Sequence, residues 1–292
     1  MEIWQAILLG LIEGITEYLP VSSTGHLIVA QRLMGIGTLS DTDKLAADAF
    51  AICIQGGAIL AVLGLYYKHV LKMCMGVLGQ DPEGLKLAIS IIVGFLPAAV
   101  LGYLLNDIIE EKLFGLWPVI AAWIIGGIAI LWTVSWRRRN PPRGNGRDIL
   151  RLAWQSALFI GFLQCIAMWP GTSRSLMTIC GGLIVGLSVK SAVEYSFLLG
   201  VVTLSAATAK KAIWGLDGAG AKYEEWTGGA LLMWDHYGPI PLIVGLLAAT
   251  ISAAFAVKWL VSYLQSHGLA VFGYYRIILG ITIGTLLLTN TL

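Results

Sequence analysis

The sequence predicts an all-α polytopic membrane protein with six full transmembrane helices and two re-entrant helix-loop-helix hairpins. Its composition is 57% hydrophobic and only 12% charged, which is far more apolar than is usual for a soluble domain of 292 residues. Charge-free runs at residues 49–67, 87–105, 113–136 and 237–257 approach or exceed the roughly 20 residues that span hydrocarbon. A polar motif interrupts the apolar sequence in two places. We therefore expect one integral membrane domain over residues 1–292.

Six apolar segments separated by turn-forming residues are the predicted full spans. The breaks include DPEG at residues 81–84 and NPPRGNG at residues 140–146, which are typical loop sequences. The predicted spans are residues 46–66, 86–105, 116–136, 192–213, 238–264 and 269–291.

The first polar motif, EGITEYLPVSSTGH at residues 13–26, lies between two apolar pieces that are short for a spanning helix. Pro20 should end the first piece, and a second piece runs from about residue 25 to residue 35. This pattern predicts a hairpin that enters and leaves the membrane on one side. Residues 152–187 repeat the pattern around Pro170 in the motif WPGTSRS.

Similar sequences at corresponding places indicate an internal duplication. AILLG at residues 6–10 resembles ALFIG at residues 157–161, and PVSS at residues 20–23 resembles PGTS at residues 170–173. The predicted repeats are residues 1–136 and 151–292, joined by a linker over residues 137–150. Three full spans per half insert the second copy upside down, and such inverted repeats bring their polar loops together near the membrane midplane.

Basic residues predict the orientation. Lys68, Lys72 and the arginines of the 137–151 connection should face the cytoplasm. Loop 106–112, with Asp107, Glu110 and Glu111, and segment 214–237 then face outward, as does the entrance of the first hairpin.

Glu13 and Glu17 stand four residues apart, so both carboxylates lie on one helical face. Two such charges in a low-dielectric setting repel, and a divalent cation or a cationic partner would relieve that repulsion. The alternative is that both glutamates face water at a frayed helix end. Because carboxylates are costly at membrane depth, we favour a functional site.

Hydroxyl groups and an imidazole follow in the same motif. Ser22, Ser23 and Thr24 precede a helix start, where backbone amides form a natural anion site, although each hydroxyl also suits simple helix capping. His26 follows Ser23 within one turn, which brings a candidate base within reach of a candidate nucleophile. The alternative for His26 is a hydrogen-bonded packing residue.

Two arginines in apolar surroundings are candidate anion ligands. Arg174, flanked by Ser173 and Ser175, has a planar guanidinium that suits a phosphate or a carboxylate, although a structural ion pair with Glu13 or Glu17 is an alternative. For Arg276 in the last span, anion binding and snorkelling toward the interface stay equally open.

Several functional classes are disfavoured. The sequence has neither a P-loop, a dinucleotide-binding fingerprint nor a metalloprotease helix, and its four scattered cysteines do not form a metal-binding pattern. We expect no nucleic-acid partner. A lipid flippase or small-anion transporter remains the main alternative to an enzyme, because inverted repeats around midplane charges are common in transporters. A structural membrane protein without a reaction is a third possibility.

Both polar motifs closely resemble the two signature stretches of the undecaprenyl pyrophosphate phosphatase family, also called the bacitracin-resistance family. The similarity includes IQGGAILA at residues 54–61 and EYSFLL at residues 194–199, and it covers nearly the whole chain. It implies an enzyme of the bacterial inner membrane that removes the terminal phosphate of a C55 polyprenyl diphosphate, the lipid carrier of cell-wall synthesis. The substrate, the bilayer and a possible homodimer are the implied partners.

The resemblance also implies residue roles. Glu13 and Glu17 would hold a divalent cation, Mg²⁺ or Ca²⁺, or act in acid-base chemistry, and Ser23 and His26 would lie at the reacting phosphorus. We favour Ser23 as nucleophile with His26 as its proton-transfer partner; the reverse assignment and attack by water are alternatives. The implied diphosphate ligands are Arg174, Ser173, Ser175, Thr178 and Arg276, and we add Ser22 and Thr24 from their place at the helix start. Leu176 and Met177 depart from the small residues of the family pattern after Arg174, and Val202 replaces an expected proline in the fourth span.

Overall fold

The computed structural model describes residues 1–113, 115–142, 144–214 and 229–289, and no β-strand occurs among them. Twelve α-helices and one short 3₁₀-helix occur among these residues, joined by short connections. The helices are α1 Ile3–Thr16, α2 Ser23–Leu33, α3 Asp41–Leu65, α4 Tyr67–Val77, α5 Pro82–Leu113, α6 Leu116–Arg139, α7 Trp154–Ile166, α8 Arg174–Ile184, α9 Val189–Trp214, α10 Gly229–Tyr237, α11 Pro239–His267 and α12 Ala270–Leu288, with the 3₁₀-helix at Ile149–Arg151.

The predicted all-α class and the six long apolar helices are confirmed. Six described helices are long and apolar enough to cross a bilayer. These segments are Asp41–Leu65, Pro82–Leu105, Leu116–Arg139, Val189–Lys210, Pro239–His267 and Ala270–Leu288. Large apolar side chains on them face outward, such as Phe255, which is 72% exposed, and this surface suits lipid rather than water.

Two predicted connections differ from the observed helices. Residues 106–112 are not a loop, because α5 continues to Leu113 through a stretch rich in good helix formers. The side chains of Asp107, Glu110 and Glu111 lie outside the described part of the chain. In segment 214–237, residues 229–237 form α10, and residues 215–228 are likewise outside the described ranges.

The four short helices next to the polar motifs form two matching pairs. Helices α1 and α2 have 14 and 11 residues, and α7 and α8 have 13 and 11 residues. At about 1.5 Å of rise per residue, each is about 16–21 Å long, well short of the about 30 Å of a bilayer core. Pro20 and Pro170 lie in the connections of the two pairs.

Glycines allow the first helix of each pair to pack closely against a long helix of the other half. A Cβ at Gly10 of α1 would lie 2.4 Å from the carbonyl oxygen of Gly245 in α11. A Cβ at Gly161 of α7 would lie 2.5 Å from the carbonyl oxygen of Gly94 in α5. Because only glycine permits these approaches, the two halves interlock through two similar contacts.

Candidate active site

A cavity of about 450 Å³ lies between the connections of the two helix pairs and the helices α5, α7 and α9. Its polar end contains six of the predicted site residues: Glu17, Ser22, Ser23, Thr24, Ser173 and Arg174. Its other walls are mainly apolar and include Phe95, Ala98, Ala99, Tyr103, Met168, Ala206 and Ala207. This combination suits a molecule with a polar head and an apolar tail.

Arg174 and Glu17 join the two polar motifs at the cavity. Nη2 of Arg174 donates a hydrogen bond of 2.9 Å to Oε1 of Glu17. The side chain of Arg174 is 9% exposed and that of Glu17 is 6% exposed. Nη1 of Arg174 donates to the carbonyl oxygen of Ser196. The ion pair that the sequence left open is therefore present, and it lies in the cavity wall. Nε of Arg174 is buried and has no hydrogen-bond partner among the described residues.

Ser23 is bonded to the same glutamate. Its Oγ donates to Oε2 of Glu17 over 2.5 Å, a short bond between a hydroxyl and a carboxylate. Gln55 of α3 also approaches Oε2, at 3.5 Å. Glu17 thus contacts a candidate nucleophile through one oxygen and a guanidinium through the other. A carboxylate in this position can accept the proton of Ser23.

Ser22 and Ser173 have matching backbone conformations at the starts of α2 and α8. Their φ angles are 73° and 76°, and these are the only positive values among the described non-glycine residues. The Oγ of Ser22 accepts the N–H of Gly25, and the Oγ of Ser173 accepts the N–H of Leu176. Such left-handed residues cost roughly 1–3 kcal/mol and persist where surrounding contacts hold them, often at functional sites.

Glu13 lies behind Glu17 and is 1% exposed. Its Oε1 is buried without a hydrogen-bond partner in the described chain. Among the described residues there is no group of three or more histidine, cysteine or acidic side chains. Glu13 and Glu17 are the carboxylates that would hold a cation here, and oxygen ligands of this kind suit Mg²⁺ or Ca²⁺; Glu17 lines the cavity, whereas Glu13 is not among its lining residues.

His26 does not line this cavity. It lies beside a separate, mostly apolar pocket of about 230 Å³ that also contains Ile12, Val29 and Leu279. Its Nδ1 contacts the carbonyl oxygen of Ser22 at 2.6 Å, and its Nε2 contacts the hydroxyl of Tyr275 at 2.8 Å. These contacts match the alternative interpretation of His26 as a hydrogen-bonded packing residue. Its described contacts include no hydrogen bond to Ser23.

Arg276 differs from both interpretations of the sequence, because it neither lines the cavity nor reaches the membrane interface. It is 0% exposed, and the acceptors of its guanidinium in the described part of the chain are all backbone carbonyls. The acceptors are Pro20 in the first motif, Gly171 in the second, and Ala122 and Trp123 in α6, at 2.8–3.3 Å. Arg276 therefore ties the two motifs to α6.

Ser175 and Thr178 also bind protein rather than open space. Ser175 donates to the carbonyl oxygen of Leu19 over 2.8 Å, and Thr178 bonds with Ser196 over 2.6 Å. Both side chains are 0% exposed. They connect α8, which begins at Arg174, to the first motif and to α9, and so help to hold Arg174 in position.

Replacing Gly126 by alanine is expected to disturb this support. A Cβ there would lie 2.3 Å from Nη2 of Arg276, so the guanidinium must leave the carbonyls of Ala122 and Gly171. We expect the thermal unfolding midpoint to fall, with a loss of about 1–3 kcal/mol that is typical of overpacking. Gly64→Ala is the control, because a Cβ at Gly64 meets nothing within 4 Å. Equal stability of the two variants would contradict the role of Arg276.

Several residues at or near the site were not singled out from the sequence. Gln55, Gln164 and Thr203 line the cavity, and Trp123 and Tyr275 bond to the first motif or to His26. The two glutamines carried a usable signal, because each is an isolated polar residue within an apolar helix. Trp123 and Tyr275 carried none, since tryptophan and tyrosine are common in membrane helices for other reasons.

Comparison with known proteins gives matches over nearly the entire chain. The family of bacitracin resistance protein BacA matches residues 6–282. An undecaprenyl-diphosphatase of Sorangium cellulosum is 41% identical over 277 residues, covering 95% of this chain and 84% of the relative. Undecaprenyl-diphosphatase 2 of Rhodospirillum rubrum is 42% identical, covering 96% and 93%. Undecaprenyl-diphosphatase 3 of Acinetobacter baylyi is 40% identical, covering 97% of both chains.

Proposed function

Because the chain belongs to the BacA family of bacitracin resistance proteins, we propose that it is a multi-pass enzyme of the bacterial inner membrane that hydrolyses undecaprenyl diphosphate to the lipid monophosphate and inorganic phosphate. The supporting observation is the contact of Ser23 and Arg174 with the same carboxylate in a largely apolar cavity. The alternative of a transporter gains no support from the relatives, whose names are those of phosphatases.

Ser23 is the nucleophile in this proposal. Its Oγ forms a bond to the terminal phosphorus while the anhydride P–O bond breaks, and the lipid monophosphate leaves with the bond electrons. Glu17 accepts the hydroxyl proton through the 2.5 Å hydrogen bond. Water then attacks the phosphoserine, Glu17 returns its proton to Oγ of Ser23 as the P–O bond to the serine breaks, and both water protons leave on the released inorganic phosphate.

Arg174 stabilises the negative charge of the transferred phosphoryl group. Its two hydrogen bonds to Glu17 and Ser196 fix the guanidinium in place, with its positive charge in the cavity wall. The starts of α2 and α8 add backbone N–H groups at Ser23 and Arg174, and helix N-termini favour anions. Thr24 and Ser173 contribute hydroxyl groups to the same wall.

A divalent cation is part of the proposal. Glu13 and Glu17 would hold it, because a buried, unpaired carboxylate oxygen beside a second carboxylate needs either a proton or a positive charge. When bound, the cation supplies Lewis-acid stabilisation of the phosphoryl oxygens. Gln55, close to Glu17, is placed to orient the carboxylate.

The apolar walls provide a path for the polyprenyl tail. Ala98 and Ala99 of α5 and Ala206 and Ala207 of α9 line the cavity, as do Tyr103 and Lys210, which lie further along the same two helices. Under the positive-inside orientation, these last two residues lie toward the outer ends of their helices. We therefore propose that the site opens to the periplasmic side.

Two finer features of the architecture belong to the same proposal. We propose that α1–α2 and α7–α8 are re-entrant hairpins and that residues 1–136 and 151–292 are inverted repeats. Support comes from the matching helix lengths, the paired φ angles of Ser22 and Ser173, and the paired glycine contacts of α1 with α11 and α7 with α5. The apolar outer faces also permit a homodimer within the bilayer.

Purified protein in detergent is expected to release phosphate from undecaprenyl diphosphate, to do so poorly with a short-chain diphosphate, and to stop when EDTA removes divalent cations. Restored release on adding Mg²⁺ or Ca²⁺, with no effect of a monovalent salt at equal ionic strength, supports the cation. No release under any cation condition would overturn the proposed function. Full release in EDTA would overturn the cation alone.

A further inference from the structure

Four consecutive carbonyl groups immediately before Ser23 are each held by a side chain. Leu19 accepts from Ser175, Pro20 from Arg276, Val21 from Nε1 of Trp123 and Ser22 from Nδ1 of His26, at 2.6–3.2 Å. These donors come from α8, α12, α6 and α2. A connecting loop is usually solvated, so four bonds from four helices fix this segment unusually firmly. We call residues 19–22 the clamped loop.

His26 is the member of this group that lies nearest to Ser23 in sequence. A carbonyl oxygen can only accept, so the contact with Ser22 requires a proton on Nδ1. Nε2 of the neutral ring then accepts the hydroxyl proton of Tyr275 over 2.8 Å. The imidazole and the Tyr275 ring are parallel within 3°, and the imidazole and the Trp123 ring pack in an edge-to-face arrangement. Both ring nitrogens are therefore engaged by protein groups.

The hydrogen bonds from Trp123 and His26 hold the backbone of Ser22 in an unusual conformation. Ser22 has a φ of 73°, which a serine adopts only where its surroundings compensate the cost. In a planar trans peptide the N–H points opposite to the carbonyl, so holding the carbonyls of Val21 and Ser22 toward α6 and α2 turns the N–H groups of Ser22 and Ser23 the other way. Ser22 and Ser23 line the cavity.

We propose that Tyr275, through His26, is a positioning residue for the reaction: it holds the imidazole that keeps the Ser22 peptide in its left-handed conformation and so aims Ser23 at the phosphorus. His26 accordingly acts through the backbone and neither attacks phosphorus nor takes the proton of Ser23. This inference rests on the proposed phosphatase function.

The test compares Tyr275→Phe with Tyr274→Phe in the phosphate-release assay. Tyr274 is the matched control, because it is adjacent, 58% exposed, and has no hydrogen bond within the part of the chain that is described. Tyr275→Phe should lower kcat by about ten- to a hundredfold at an unchanged KM, because a small misplacement of a reacting group costs rate rather than substrate affinity. Tyr274→Phe should match the wild type. Equal kcat values for the two variants would overturn the inference.

Two substitutions of His26 separate positioning from proton transfer. His26→Asn keeps an N–H donor near the position of Nδ1 but cannot carry a proton, whereas His26→Leu has neither property. If His26 acts by positioning, the asparagine variant retains clearly more activity than the leucine variant, and the shape of its pH-rate profile is unchanged. Equal, near-complete loss in both variants would overturn the inference in favour of proton transfer.

The same experiments distinguish failure of this inference from failure of the proposed function. A wild-type protein that releases no phosphate defeats the function itself. An active wild type with an unaffected Tyr275→Phe variant defeats only the positioning role. Thermal unfolding of each variant checks that it is folded, and if Tyr275→Phe does not fold, the two His26 variants decide the question alone.

Discussion

Replacing Arg174 by alanine is expected to abolish most phosphate release, with kcat lower by at least about a hundredfold, as for the loss of a group that stabilises transition-state charge. The guanidinium of Arg174 lines the cavity and forms an ion pair with Glu17. The substitution also leaves a buried carboxylate unpaired, which costs about 3–5 kcal/mol of stability where a buried ion pair is broken. Low activity alone would therefore not separate the chemistry from folding.

A double variant makes that separation. Glu17→Gln with Arg174→Gln removes both charges and should recover much of the thermal stability that Arg174→Ala loses, while its activity stays low. Arg151→Ala is the control for loss of an arginine, because Arg151 is exposed and does not line the cavity. Recovered activity in the double variant, or normal activity of Arg174→Ala, would contradict the assigned role of the arginine.

Replacing Ser23 by alanine is expected to lower kcat by on the order of 10³ or more, since loss of a catalytic nucleophile removes the pathway itself. Stability should change little, because Ser23 makes one side-chain hydrogen bond and its removal leaves Glu17 paired with Arg174. Phosphate release and thermal unfolding are the measurements. Ser205→Ala, on the exposed side of α9, is the matched control.

A trapping experiment identifies the nucleophile directly. Rapid acid quench of enzyme with substrate labelled in its terminal phosphate, followed by peptide mapping, should find the label on Ser23. The label should disappear in Ser23→Ala and persist in Ser205→Ala. A label on His26 would refute both the nucleophile and the positioning role of the histidine, and an unlabelled but fully active protein would indicate direct attack by water.

Much of the helical architecture follows from hydropathy alone. The six spans were predictable because runs of apolar residues of bilayer length have few other stable structures. The helix ends were less predictable: α5 extends through residues 106–113, since helix propensity there is favourable and no proline or glycine stops it. Pro20 and Pro170, by contrast, correctly indicated the breaks between α1 and α2 and between α7 and α8.

The meeting of the two polar motifs was predictable, because polar side chains are costly at membrane depth unless they face one another. Glu17, Ser23 and Arg174 are polar groups in an apolar chain, and the structure brings them together. For Arg276 and His26 the same criterion does not distinguish ligand binding from hydrogen bonding to the backbone, because a buried polar side chain can do either. For Arg276 the acceptors include the carbonyl groups of Pro20 and Gly171, which are distant in sequence. No local sequence pattern predicts such contacts.

The bonds of Arg276 have a consequence for biosynthesis. Its guanidinium joins Pro20 near the beginning of the chain to Gly171 beyond its middle, and it lies in the last helix. During translation, every other component of the reaction centre is synthesised before this residue leaves the ribosome. A chain that has not yet inserted its last helix therefore lacks the side chain that holds the carbonyls of Pro20 and Gly171 together.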